Sequence, residues 1–204
     1  MRIGQTRFAA IDFESAGSAP SRADEPVQIA IVHLTGTVIT DGLCSYVRPE
    51  SEVTWAARKV HGITDAMLED APRFRDLWPQ IKPAMEGCWI VAHGAATEKR
   101  FLRTFPFHAF GPWVDTLHLS RAVYPDLPSY SLGAVIKSLG LESEKEIQTA
   151  NFRWHDARCD AIASLVLLRK LIAVCRLEET EPDVLGRAGL DMYFTNRREK
   201  LRWK

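Results

Sequence analysis

The sequence predicts an α/β domain in which helices cover a mixed β-sheet, and three observations carry that expectation. Strand-like runs come first and close together, at residues 8–14, 26–34 and 38–47, as an antiparallel meander would place them. Further runs at 88–92 and 113–115 alternate with segments of helical apolar spacing, the pattern that joins strands through helices. At 204 residues the chain is long enough for one well-filled core and too short for two complete domains.

Composition narrows the function classes. Hydrophobic residues at 46% and charged residues at 25% suit a globular protein in water. Lys plus Arg number 26, as do Asp plus Glu. That balance argues against a coat for long stretches of phosphate, but leaves room for an enzyme that grips a strand end. Cys44, Cys88, Cys159 and Cys175 lack paired metal-ligand spacing and read as reduced, mostly structural thiols. Residues 1–5 show no charged-then-apolar leader, and the longest apolar stretch, 161–175, is interrupted by Arg169-Lys170. A cytoplasmic protein without a membrane segment is expected. There is no internal repeat or low-complexity run, and nothing in the sequence sets the oligomeric state.

The first run, Phe8-Ala9-Ala10-Ile11-Asp12-Phe13-Glu14, is closed by Ser15-Ala16-Gly17-Ser18-Ala19-Pro20 and reads as a buried strand entering a loop. The β-branched run 26–34 meets a turn signal at Thr35-Gly36; strand-like residues then lie on both sides of Asp41-Gly42, a turn-type dipeptide. A short helix is expected over 53–60, ending near His61-Gly62, and Thr64 can cap another at 65–69. Residues 73–86 have helical apolar spacing but contain Pro79 and Pro83, which predicts a kinked or split helix. Gly94 ends the 88–92 strand before a helix at 97–103, and the 113–115 strand leads into a helix reaching about 124. Ser129 or Ser131 can cap a helix that stops at Gly140, and Asp156 can cap the longest one. Beyond residue 176 an acidic patch and the basic stretch 197–204 read as a C-terminal extension, a solvated helix or frayed tail.

Chemistry gathers at four acids and one histidine. Strand side chains at i and i+2 share a face, so Asp12 and Glu14 project together. Two adjacent anions at the end of a buried strand raise each other's pKa unless a cation joins them. The plain alternative is a solvated strand end. Asp160 lies on the same helical face as Ser164, Leu167 and Leu171 and therefore points towards packing. Glu98 opens a helix whose i+3 and i+4 neighbours are Phe101 and Leu102, so no intrahelical ion pair explains it; a favourable helix dipole is its structural alternative. Asp156 is accounted for as a cap, and His155 taken alone would be a structural histidine. Together, Asp12, Glu14, Glu98 and Asp160 can hold two divalent ions about 3.5–4 Å apart, suited to phosphodiester hydrolysis. Oxygen ligands favour Mg²⁺ or Mn²⁺, and His155 can serve as the general base.

These motifs, in their order, resemble the DEDDh (DnaQ-like) 3′–5′ exonucleases, the family of the DNA polymerase III epsilon proofreading subunit, ribonuclease T and oligoribonuclease. Asp12-Phe13-Glu14-Ser15 is similar to the first family motif and His155 through Asp160 to the third. Val60-His61-Gly62-Ile63-Thr64, Val114-Asp115-Thr116-Leu117, and Tyr130-Ser131-Leu132-Gly133 through Leu139-Gly140-Leu141 also resemble epsilon-type sequence. The second motif departs: where relatives read His-Asn-Ala-x-Phe-Asp, this chain has His93-Gly94-Ala95-Ala96-Thr97-Glu98. Ser18 departs too, standing where epsilon-like proteins often carry a Leu or Met wedge.

The resemblance implies a ribonuclease H-like domain over residues 1–176, followed by the 177–204 extension. Its five-stranded mixed sheet would have the order 3-2-1-4-5 with strand 2 antiparallel. It further implies metal-dependent removal of nucleotides from a nucleic-acid 3′ end. Asp12, Glu14, Glu98 and Asp160 would be the metal ligands and His155 the catalytic base, with Ser15, Ala16 and His61 cradling the terminal nucleotide. Single-stranded DNA is favoured over RNA, in a proofreading or repair role, and a polymerase subunit is a candidate partner. The alternatives are an RNA-trimming exoribonuclease of the same family and a non-catalytic exonuclease-fold binding module.

Overall fold

A computed structural model describes residues 1–18, 23–149 and 151–186. Strands β1 (Arg7–Ser15), β2 (Pro26–Thr35) and β3 (Val38–Tyr46) form the meander; β4 (Trp89–Ala92) and β5 (Trp113–Asp115) add in parallel beside β1. The strand order is β3-β2-β1-β4-β5, with β2 antiparallel to both neighbours. The mixed sheet is the one the run pattern predicts, and its strand order is the one the exonuclease resemblance implies.

Period-two alternation divides the core. Phe8 and Ala10 pack with Ala30, Val32 and Leu34 against helix α7 (Ala157–Cys175). Ala9, Ile11 and Phe13 face the other way. They pack onto a 3-10 turn (Phe74–Leu77), helix α3 (Trp78–Met85) and helix α4 (Ala96–Leu102). The proline-bearing segment is therefore split at Leu77/Trp78, with Pro79 in the first turn of α3, where the missing donor costs little. Helix α7 is apolar on nearly every side because the sheet lies beneath it while α5 (Thr116–Val123) and α6 (Leu132–Ser138) flank it.

Three local expectations change. Asp41-Gly42 makes no turn: β3 runs on through it with a register shift opposite Ile31/Val32. A Cβ at Gly42 would lie 2.5 Å from His33 Cε1 and 2.9 Å from the Ile31 carbonyl oxygen, so glycine here serves close strand approach. Thr64 and Ser131 precede helices α2 (Asp65–Leu68) and α6, but neither side chain caps. In front of helix α1 (Trp55–His61), Thr54 does cap, and Gly62 ends α1 in the left-handed region at φ 74°.

The start of the extension is packed down. Leu177, Pro182 and Leu185 are buried, and the Ile3 and Gly4 amides donate to the Thr180 and Glu178 carbonyls at 2.9 Å each. The basic stretch 197–204 lies outside the described residues. None of the four cysteines, all among the described residues, forms a disulfide, and Cys44 alone of them is exposed. Among the described residues no helix is long and apolar enough to cross a membrane.

Candidate active site

The carboxyl end of β1 carries Asp12 and Glu14 on the face that α7 covers, as the alternation of its buried neighbours requires. Helix α7 is pinned above them at its first turn. Asp156 caps it, its Oδ1 accepting from the Cys159 amide at 3.2 Å. Gln28, buried on β2 directly opposite Glu14, bridges sheet and helix. Its Nε2 donates to Asp156 Oδ2 and its Oε1 accepts from the Ala157 amide, both at 3.0 Å. His155 just before the cap has φ 61°, a strained value for a non-glycine residue, and its amide donates to Asp160 Oδ2 at 3.2 Å. One ligand atom from each of Glu14, His155 and Asp160 lies within 4.8 Å of the others.

Glu98 arrives from the other side on α4, and a second cap positions it. Asp115 Oδ1 accepts from the Gly94 and Leu117 amides and Oδ2 from the Ala95 amide, all at 3.0 Å. One carboxylate thus caps α5 and also holds the turn into α4. Gly94 sits at φ 87°, a region that glycine and asparagine tolerate better than other residues. The exchange of the expected Asn for Gly therefore keeps the turn. His93 reinforces it through Tyr130 O at 2.8 Å and Thr116 Oγ1 at 3.0 Å.

Asp12 lies within electrostatic reach of the other three acids. Burial first, then Asp160, Glu98 and Glu14, hold the Asp12 carboxyl well above the usual carboxylate range. Burial, then Asp160 and Asp156, push Glu14 to about 8, against an opposing pull from Arg153. Burial raises Glu98 to about 7, and Asp160 also to about 7 despite the amide hydrogen bond that favours its charge. Glu98 Oε2 and Asp160 Oδ1 are buried and have no hydrogen-bond partner among the described residues. Buried anions with empty lone pairs are costly, and this oxygen-rich set fits a hard divalent cation.

The structure therefore brings Asp12, Glu14, Glu98, His155 and Asp160 to one place. The expected nucleotide-cradling residues are arranged differently. Ala16 is fully buried; its amide donates to Glu25 O and its carbonyl accepts from the Thr54 amide, both at 2.8 Å. Buried His61 accepts from the Ile63 amide at Nδ1, so its Nε2 donates to Ser15 O, each at 3.0 Å. Its imidazole braces the segment after Glu14 from behind, and burial lowers its pKa. Gln28 and Asp115 organise the site although neither stands out in the sequence as doing so. A lone amide inside the apolar run Val27-Gln28-Ile29 was the available signal for the first, and a carboxylate at a strand-to-helix junction for the second.

A five-stranded 3-2-1-4-5 sheet with an acidic cluster at the end of its central strand defines a ribonuclease H-like domain of the nuclease type. A family model described as Exonuclease, of the RNase T group, matches residues 9–168, and the chain belongs to that DnaQ-like exonuclease family. It is 33% identical over 190 residues to a PolC-type DNA polymerase III of Thermotoga maritima, covering 88% of this chain and 13% of that polymerase. Exodeoxyribonuclease 10 of Escherichia coli is 30% identical over 171 residues, covering 83% of this chain and 72% of that enzyme. Among solved structures, Exonuclease X in complex with 5′ overhanging duplex DNA superposes with a TM-score of 0.70 at 26% identity. That match covers 88% of this chain and 99% of the other.

Proposed function

We propose that the chain is a metal-dependent 3′–5′ exonuclease that removes nucleotides from DNA 3′ ends, with single-stranded DNA preferred and proofreading or repair as the setting. The observation that carries this reading is the convergence of Asp12, Glu14, Glu98 and Asp160 with two buried carboxylate oxygens left unpartnered. These four acids would hold two divalent ions, Mg²⁺ or Mn²⁺. When bound, the ions supply water activation and charge stabilisation at the leaving oxygen. His155, exposed beside Glu14 and Asp160, takes a proton from the attacking water as its oxygen bonds to phosphorus. The 3′ oxygen of the preceding nucleotide leaves, giving a nucleoside 5′-monophosphate and a strand one residue shorter. Half-buried Ser15 would border the terminal nucleotide, and His61 and buried Ala16 hold that segment in place from behind.

The name Exodeoxyribonuclease 10 and the structure of Exonuclease X in complex with 5′ overhanging duplex DNA support DNA over RNA. The PolC-type relative supports a polymerase as partner. In this reading residues 1–176 are the cytoplasmic catalytic unit and 177–204 its extension. The test is a time course on 3′- and 5′-labelled single-stranded DNA, single-stranded RNA and a duplex with a recessed 3′ end, with and without chelator. Early release of the 3′ label as mononucleotide, abolished by chelator, is expected. Activity in excess chelator, or equal cleavage of a circular strand, overturns the reading.

A further inference from the structure

Helix α1 carries an aromatic surface that the acidic cluster does not use. Trp55 is 74% exposed and Val60 is 54% exposed. The Lys59 ammonium lies 5.2 Å from the centroid of the Trp55 ring. Positions 55 and 59 are one turn apart, so indole and cation stand over the same side of the helix. The core does not need this indole: α1 packs inward through Ala57 and is held by its Thr54 and Gly62 caps.

What places this surface is how α1 is tied to the segment that follows Glu14. At one end the Thr54 amide donates to Ala16 O at 2.8 Å, and a Cβ on Gly17 would sit 2.4 Å from Thr54 Oγ1. At the other end His61 donates to Ser15 O and lies within electrostatic reach of His155 and Arg153. Helix α1 spans only about 10 Å, so Trp55 lies within about that length of helix from His61 and the Ser15 carbonyl it holds.

We propose that Trp55 and Lys59 form a stacking platform for single-stranded nucleic acid, the indole carrying a base upstream of the 3′ end and Lys59 meeting the adjoining phosphate. This rests on the exonuclease reading above. Aromatic faces accept any base, and cations beside them follow the backbone, the combination used for sequence-tolerant single-strand grip. With 26 basic and 26 acidic residues in the chain, grip on a polyanion has to come from local features of this kind. A protein partner is the other class of occupant; Lys59 and the ties to Ser15 and Ala16 favour nucleic acid.

The test measures anisotropy of 5′-fluorescein-labelled dT10 with Mg²⁺ in a His155→Ala background, which suppresses turnover. Hydrolysis of thymidine 5′-monophosphate p-nitrophenyl ester, a single nucleotide without the upstream base that Trp55 would carry, is followed in the background with His155 intact. Trp55→Ala should raise the dT10 Kd about 5- to 100-fold, while Trp55→Phe retains most of the affinity. Lys59→Gln should weaken binding less and lower the salt slope by about one phosphate contact. Ester hydrolysis should stay within about twofold in all three variants, as expected of groups that act only on the upstream strand. A dT10 Kd unchanged in Trp55→Ala, or no dT10 binding by the parent, overturns the platform and leaves the face to a protein partner or to none. If dT10 binds through Trp55 but the protein with His155 intact hydrolyses neither dT10 nor the ester, the platform stands and the exonuclease reading falls.

Discussion

Replacing Glu98 with Gln separates a ligand from a structural acid, because the two roles predict opposite changes in stability. Glu98 is 6% exposed, its Oε2 is unpartnered, and its folded-state pKa is about 7 against an ordinary 4.5. A carboxyl raised by folding binds its proton more tightly when folded, so its unfavourable contribution grows as pH rises from 4.5 through 7. For these values the ionised group costs the metal-free fold about 3 kcal/mol at pH 8 and under about 1 kcal/mol at pH 5. Glu98→Gln removes the charge at nearly constant shape but adds an amide that also wants partners. The net expectation in chelator at pH 8 is a gain of about 1–2 kcal/mol, or a Tm higher by roughly 2–8 °C, and little change at pH 5. In metal, kcat should fall at least about 100-fold, equivalent to ~2.7 kcal/mol of barrier. Scanning fluorimetry at both pH values beside a single-strand exonuclease assay reads all of this. A Gln variant less stable at pH 8 in chelator and fully active, next to an inactive Asp12→Ala control, would show that Glu98 belongs to the fold and not to the chemistry.

Other outcomes follow from the same geometry. His155→Ala should keep the fold and metal binding but lower kcat by about 10²–10⁴; unchanged turnover would assign the proton to another group. Gln28→Glu sets a carboxylate against Asp156 across a 3.0 Å contact and should cost about 1–3 kcal/mol of stability and much of the activity. Adding Asp156→Asn restores a donor to that pair, and failure of the double variant to recover both Tm and kcat would exclude the bridge as the cause. Because burial and mutual repulsion raise Asp12, Glu14, Glu98 and Asp160, stability of the metal-free protein should fall as pH rises from about 5 to 8. Millimolar Mn²⁺ should reverse the loss at pH 8 with release of protons, and a Tm in chelator that is flat or rising over that range would contradict the clustered carboxyls.

What could be read from the sequence was what short-range geometry decides. The pairing of Asp12 with Glu14 needs only the two-residue period of a strand. The start of α7 at Asp156 and the end of α1 at Gly62 rest on local capping chemistry. Pro79 and Pro83 predicted the split before α3 because a missing amide acts within one turn. The exonuclease resemblance extended this to strand order and to the gathering of the five site residues.

Tertiary structure decided what depends on partners far away in the chain. Asp-Gly suits a turn and a bulge alike, and only the continuing partner strand beside Ile31 and Val32 makes Asp41-Gly42 a bulge. Glu98 could have been a solvated first-turn acid; it faces inward because Asp115, across the β4–β5 pair, captures the two amides that set the entry angle of α4. The Gln28 bridge joins residues 128 and 129 positions apart. A neutral amide buried in one strand carries no local mark of the helix it will hold, because its partners exist only once sheet and helix have met.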